Sequence, residues 1–208
     1  MAAPSTSKKE LLSILPPQIL ASPRVVTAMA IAEDAHGEQL RDTGETYLEG
    51  HIWLLAMQVY EHYTSAGNLE QLLIASLLHD VVEDSSNYSI EIIDQKFGKE
   101  MADIITALTK KPEEDSAKTQ AGKFQENKRY LARLATHGEI AIRLKLEDRI
   151  ANLRSIVADA NLVRIDKYKR QTKEAQELFM PLAKSLSGQP DYRWLIQNEV
   201  TRIKNFLD

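Results

Sequence analysis

Apolar residues recur every three or four positions along most of this chain, and strict alternation is scarce, so helical periodicity dominates. The pattern predicts a helix over 23–40, with Pro23 in its first turn, and further helices over 51–65 and 69–84. Short helices over 90–97 and 99–109 flank Gly98. Helices resume over 123–136 and 139–159, with His137 and Gly138 as a stop between them. A long helix over 163–186 carries Pro181 near its end. In the last, 191–206, Leu195, Ile196, Val200, Ile203 and Leu207 form a stripe that must pack on something, within the chain or in a homo-oligomer. Residues 41–50 read as a loop, and the polar stretch 110–122, broken at Pro112, reads as a mobile loop. Residues 1–22 read as a flexible N-terminal segment. No repeat or low-complexity tract is visible. The expected fold is an all-α domain over 23–208.

Composition narrows the chemistry. The 208 residues are 43% apolar, enough for a sizeable core, and 27% charged. A formal charge of −4 gives no reason to expect a nucleic-acid or membrane partner. No cysteine is present, which excludes disulfides, thiolate catalysis and Cys-bound zinc. The start lacks a signal-peptide core, and no apolar run approaches the roughly 20 residues of a membrane span. A soluble cytoplasmic protein is the expectation.

One stretch stands out. In "LLIASLLHDVVEDS" an apolar run ends in His79, Asp80, Glu83 and Asp84. Ser76, His79, Asp80 and Glu83 follow the i, i+3, i+4, i+7 pattern and so share a face of a continuous helix. Carboxylates next to such a run are tolerated when paired or metal-bound. If His79 and Asp80 were neighbouring ligands, Glu83 would stand one turn on, about 5–6 Å away. A helix end reaching solvent explains the spacing equally well. Two other stretches weigh against that bland reading: "RLKLEDRIANLRSI" places Asp148 and Asn152 four apart on an apolar helix, and "RDTGETYLEGH" ends at His51 before "IWLLAMQV".

Together these segments resemble the hydrolase domain of the Rel/Spo alarmone enzymes, a branch of the HD-domain metal phosphohydrolases. That family runs R-K-x-G-x-P-Y-x-x-H, then L-L-H-D-V-V-E-D, then F-G and a T-K pair, then K-L-A-D-R-x-x-N. Here "RDTGETYLEGH", "LLHDVVED", "FGKEMADIITALTK" and "KLEDRIAN" appear in that order at similar spacing, and "FMPLAKSL" resembles the family's A-P-L-A segment. The resemblance covers residues 24–187. It implies a single HD-domain bundle of about 8–10 helices. The length leaves no room for the family's synthetase domain, so the expected type is the stand-alone small alarmone hydrolase.

The resemblance also implies roles. His51, His79, Asp80 and Asp148 match the metal ligands of one divalent ion, with Mn2+ the family's usual metal; two imidazoles and two carboxylates suit a borderline-to-hard cation. Glu83 and Asp84 match the catalytic acidic pair. Arg41, Thr43, Asn152 and Ser155 match residues that contact the nucleotide. The implied reaction is hydrolysis of the 3′-diphosphate of a guanosine (or adenosine) alarmone such as ppGpp, releasing pyrophosphate. The basic stretch "RIDKYKRQTK" could receive phosphates or could be a solvated face. Rival readings share the motifs: an HD phosphohydrolase acting on another nucleotide, or a catalytically silent alarmone-binding module.

The chain departs from the pattern at Asp42, where the family has a second basic residue, at Thr46 and Ile52, where it has proline, and at Glu147, where it has alanine. His36 and His62 read as exposed, and His137 as a helix terminus. Trp53, Phe179, Trp194 and Phe206 read as core aromatics.

Overall fold

The computed structural model describes residues 6–41, 44–114, 116–158, 165–186, 188 and 190–207. Asp42 and Thr43 lie outside them. Apart from an isolated bridge between Leu40 and Thr46, the described residues form helices and connecting turns. They divide into two compact units, one running up to Thr109 and one from Lys110 onward. No helix among them is long and apolar enough to cross a membrane.

The first unit begins inside the segment that reads as flexible. Helices α1 (Lys8–Ile14) and α2 (Pro17–Leu20) occupy its described part, and Leu11 is buried. The cause is local. Ser7 and Glu10 form a reciprocal capping box, which satisfies two amide donors at the start of α1. Helix α3 (Pro23–His36) is capped by the Ser22 hydroxyl. It stops four residues short of the expected end, because the chain folds back and the Tyr47 amide donates to the Gln39 carbonyl at 2.8 Å.

A π-helical turn (Leu48–Ile52) leads into α4 (Trp53–Tyr63). Helix α5 (Leu69–Leu78) is buried at every position from 72 to 78, with α3, α4 and α8 (Lys99–Leu108) packed around it. Each large aliphatic side chain buried there contributes roughly 1.5–3 kcal/mol of transfer free energy. A four-residue helix, α6 (Val81–Asp84), follows α5 after a break. Helix α7 (Ile90–Phe97) packs on α8 across Gly98, whose φ of 84° favours glycine.

The second unit opens with a 3-10 turn (Pro112–Glu114), followed by α9 (Gln120–Leu134) and α10 (Glu139–Ala158). The described residues of the stretch expected to be a mobile loop are tied down by two buried carboxylates. Glu114 takes a bidentate grip from Arg133, at 3.0 and 2.8 Å, and the Lys111 amide at 2.9 Å. Glu126 Oε1 accepts from the Ser116 amide and hydroxyl and the Ala117 amide.

The long terminal helix of the sequence pattern is interrupted. Helix α11 (Ile165–Glu174) passes through a π-helical turn (Ala175–Phe179) into α12 (Met180–Lys184), with Pro181 in the first turn of α12. Helix α13 (Tyr192–Leu207) packs on α10, and Ile196, Val200 and Ile203 are buried. These three positions of the stripe are therefore covered within the unit, while the Phe206 and Leu207 side chains lie outside the described ones. Trp53 and Phe179 are core residues, but Trp194 is 63% exposed and is not. Two positions after Tyr192, it falls on the far side of α13 from the buried stripe.

Candidate metal centre

The site in the first unit is built where two helical segments are irregular. His51 lies in the π-helical turn before α4, and His79 and Asp80 occupy the break between α5 and α6. The periodicity predicts one helix through this region with four polar residues on a common face. Instead Asp80 adopts φ −104°, ψ −5°, the sparsely populated bridge conformation. The His79 ring lies against the last turn of α5, its Nδ1 2.9 Å from the Ser76 carbonyl oxygen. Ser76 itself is fully buried, its hydroxyl donating to the Leu73 carbonyl.

Three donor atoms converge there. His51 Nε2 is 3.1 Å from His79 Nε2. Asp80 Oδ2 is 2.9 Å from His79 Nε2 and 3.6 Å from His51 Nε2. Both imidazoles are 2% exposed, so water contributes little to their solvation. Ligand atoms each about 2.1 Å from one divalent ion, at right angles to one another, lie roughly 3 Å apart. Two of the observed separations, 3.1 and 2.9 Å, match that edge, and the third, 3.6 Å, is longer. A carbonyl oxygen can only accept, so His79 Nδ1 carries a proton, which leaves Nε2 as the ring nitrogen that would bind a cation. The donor set fits a cation on both counts.

Burial pushes the Asp80 carboxyl up, but the His79 and His51 imidazoles outweigh it and hold the group well below the usual carboxylate range. Asp80 Oδ2 also accepts a hydrogen bond from the Tyr47 hydroxyl. The Tyr47 ring sits between two imidazoles, with centroids 5.1 Å from His36 and 5.0 Å from His51.

His36, expected to be exposed, is fully buried. The fold-back after α3 brings Tyr47 over it. Burial lowers its imidazole pKa, opposed by the Gln39 amide and by Asp80 and Asp84. Its Nδ1 is 2.7 Å from Gln39 Oε1, and Gln39 Nε2 donates to Asp84 Oδ2 at 3.0 Å.

Glu83 and Asp84 stand on α6, both exposed as residues, and their amides donate to the Asp80 carbonyl. The sequence reading assigned no role to Tyr47, His36 or Gln39. Tyr47 matches the tyrosine of the Rel/Spo pattern, and for His36 and Gln39 the signal is the cluster of polar side chains in "HGEQ" beside Arg41.

Arg41 Nη1 donates to the Gly50 carbonyl at 2.8 Å, and its Nε is 3.8 Å from Glu45 Oε1. A Cβ on Gly50 would meet Glu45 Cγ at 2.5 Å and Arg41 Cδ at 2.7 Å, so glycine is required for this approach. Thr43 lies outside the described residues.

The remaining candidates are on α10 in the second unit. Asp148, 5% exposed, receives Lys145 Nζ at 2.8 Å and Asn152 Nδ2 at 2.6 Å. The Ser155 hydroxyl donates to the Asn152 carbonyl. Glu147, which replaces the family's alanine, points inward and accepts from the Tyr192 hydroxyl at 2.8 Å.

Comparison with known proteins bears on this arrangement. The HD-domain sequence family matches residues 28–187. This chain belongs to the HD-domain family. The HD domain here is 33% identical over 173 residues to the guanosine-3′,5′-bis(diphosphate) 3′-pyrophosphohydrolase of Aquifex aeolicus, covering 83% of this chain and 22% of the relative. It is 28% identical over 174 residues to the probable enzyme of the same name from Synechocystis sp., covering 84% and 21%. It is 31% identical over 169 residues to the bifunctional (p)ppGpp synthase/hydrolase SpoT of Escherichia coli, covering 78% and 22%. The chain thus spans about a fifth of the length of these relatives. The likeness to the Rel/Spo hydrolase domain drawn from the motifs is borne out, and an HD domain implies a divalent metal.

Proposed function

We propose that this HD domain is a metal-dependent 3′-pyrophosphohydrolase that cleaves guanosine (or adenosine) 3′-diphosphate alarmones such as ppGpp and releases pyrophosphate. The observation that carries the reading is the convergence of His51, His79 and Asp80 beside a pair of acids on α6, in a chain whose relatives bear that activity in their names. Asp148 is the proposed fourth ligand and Mn2+ the proposed ion. A bound divalent ion lowers the pKa of water and polarises the phosphate. Of the acids, Glu83 orients the attacking water and accepts its proton, and Asp84 assists proton transfer. Arg41 stacks on the base, where a planar guanidinium suits an aromatic ring. Thr43, Asn152 and Ser155 contact the nucleotide. The cytoplasm is the proposed location.

One observation favours a second reading, the same chemistry on a different nucleotide. Asp42 puts a negative charge where the family carries a basic residue. A single assay separates the two. The purified chain is incubated with Mn2+ and a panel of 3′-diphosphorylated and ordinary nucleotides, and pyrophosphate release is measured. Release from the 3′-diphosphorylated nucleotides alone is expected. No release from any of them refutes the proposal.

A further inference from the structure

We infer that Gln39 is a positioning residue for Asp84, locking its carboxylate through a directed chain of hydrogen bonds that begins at the buried His36. The inference rests on the reading above, in which Asp84 takes part in the reaction.

Asp84 needs such a lock. It is the last residue of a four-residue helix, and its side chain is 30% exposed. A carboxylate on so short an element has rotameric freedom, and proton transfer tolerates little misplacement. Gln39 Nε2 donates to Asp84 Oδ2 at 3.0 Å. At the other end of the same amide, Oε1 faces His36 Nδ1 at 2.7 Å.

The polarity of this chain is determined at both ends. A carboxylate can only accept, so the amide nitrogen must face Asp84. The amide oxygen then faces His36, whose Nδ1 supplies the proton. Rotating the amide by half a turn would set oxygen against carboxylate and nitrogen against an N–H. His36 is fully buried and its ring is held against Tyr47, so the anchor does not swing. Its Nε2 has no hydrogen-bond partner among the described residues, which leaves Gln39 as its polar attachment besides the more distant Asp84 at 3.9 Å.

Gln39 also reaches the metal-ligand side. Its carbonyl accepts the Tyr47 amide at 2.8 Å, and the Tyr47 hydroxyl donates to Asp80. One residue therefore braces the acid with its side chain and the ligand-supporting tyrosine with its backbone. Only the first link is open to side-chain substitution.

The test uses the manganese-loaded full chain and a guanosine nucleotide carrying a 3′-diphosphate. Gln39→Ala is expected to lower kcat about 10–100-fold, with KM and Mn2+ affinity within about twofold of wild type. In an Asp84→Ala background the same substitution is expected to cost nothing further, because Gln39 acts through Asp84. Gln39→Glu sets a carboxylate against Asp84 and is expected to lose more than Gln39→Ala. Full activity of Gln39→Ala, or an equal loss in both backgrounds, overturns the inference. A wild-type chain that releases no pyrophosphate refutes the proposed function instead. The contact is then decided without turnover: the 15N-labelled Gln39 side-chain amide should shift on Asp84→Ala and on His36→Phe, and unchanged resonances overturn the inference.

Discussion

Tyr47→Phe removes one hydroxyl and leaves the ring between His36 and His51 in place. Both tilted ring contacts, at 5.1 and 5.0 Å, belong to the ring. The hydrogen bond to Asp80 Oδ2 belongs to the hydroxyl alone. The substitution therefore isolates a single support of one ligand. A hydrogen bond to a charged group contributes about 1.5–3 kcal/mol net. Loss of a partner that orients a metal ligand typically costs about 10–100-fold in metal affinity, or about 1.4–2.7 kcal/mol. The two ranges overlap, and water can partly replace the hydroxyl of the half-buried Tyr47, so a loss near the lower end is expected. The assay is calorimetric titration of chelator-stripped protein with MnCl2, with far-UV circular dichroism as a check on folding. A Kd within twofold of wild type, in a variant with an unchanged spectrum, would refute the claim that Tyr47 orients Asp80.

Three further outcomes are expected. Asp80→Ala should lose Mn2+ binding and pyrophosphate release together, whereas Asp84→Ala should lose release and largely keep binding; calorimetry and the release assay separate them. Gly50→Ala should displace the Arg41 side chain, because a methyl there meets Arg41 Cδ at 2.7 Å, and should raise KM more than it lowers kcat. The Arg133 grip holds the Glu114 carboxyl below its ordinary range, so the stability it contributes is present above the unfolded pKa of about 4.3 and is lost as pH falls through the folded value. The gap in Tm between wild type and Glu114→Gln should hold from neutral pH down to about 5 and shrink below about 4.

Legibility in the sequence followed the range of the interaction. The all-α class was readable because 3.6-residue periodicity is local, and α7, α8 and α9 start within three residues of their expected positions. His51, His79 and Asp80 were readable from motif order, and the structure brings these three together. His36 was not. Its neighbours in "DAHGEQ" are polar, and Tyr47, eleven positions on, folds back against it. The anchored loop after Lys110 was hidden for the same reason. Glu114 looks like solvated charge until Arg133 is placed beside it, and the Ser116 and Ala117 amides find their acceptor in Glu126 on α9.

The break at His79 and Asp80 is the feature that periodicity misplaced, and it explains how charge is tolerated at the end of α5. In an unbroken helix the two residues would be neighbours on a buried rod, and their side chains would diverge by about 100°. Breaking the helix at Asp80 lets the His79 ring fold against the Ser76 carbonyl and brings Asp80 Oδ2 within 2.9 Å of its Nε2. The approach of two imidazole nitrogens to 3.1 Å is repulsive if both present lone pairs, unless a proton or a cation lies between them. Asp80 Oδ2, 2.9 Å from one ring nitrogen and 3.6 Å from the other, adds a third donor beside the pair, as a cation site requires. The Tyr47 hydroxyl then supplies the orientation that the cation cannot impose by itself. In this arrangement the apolar run 72–78 has a mechanical role: it fixes the Ser76 carbonyl, and through it the ring whose direction decides whether a metal can bind.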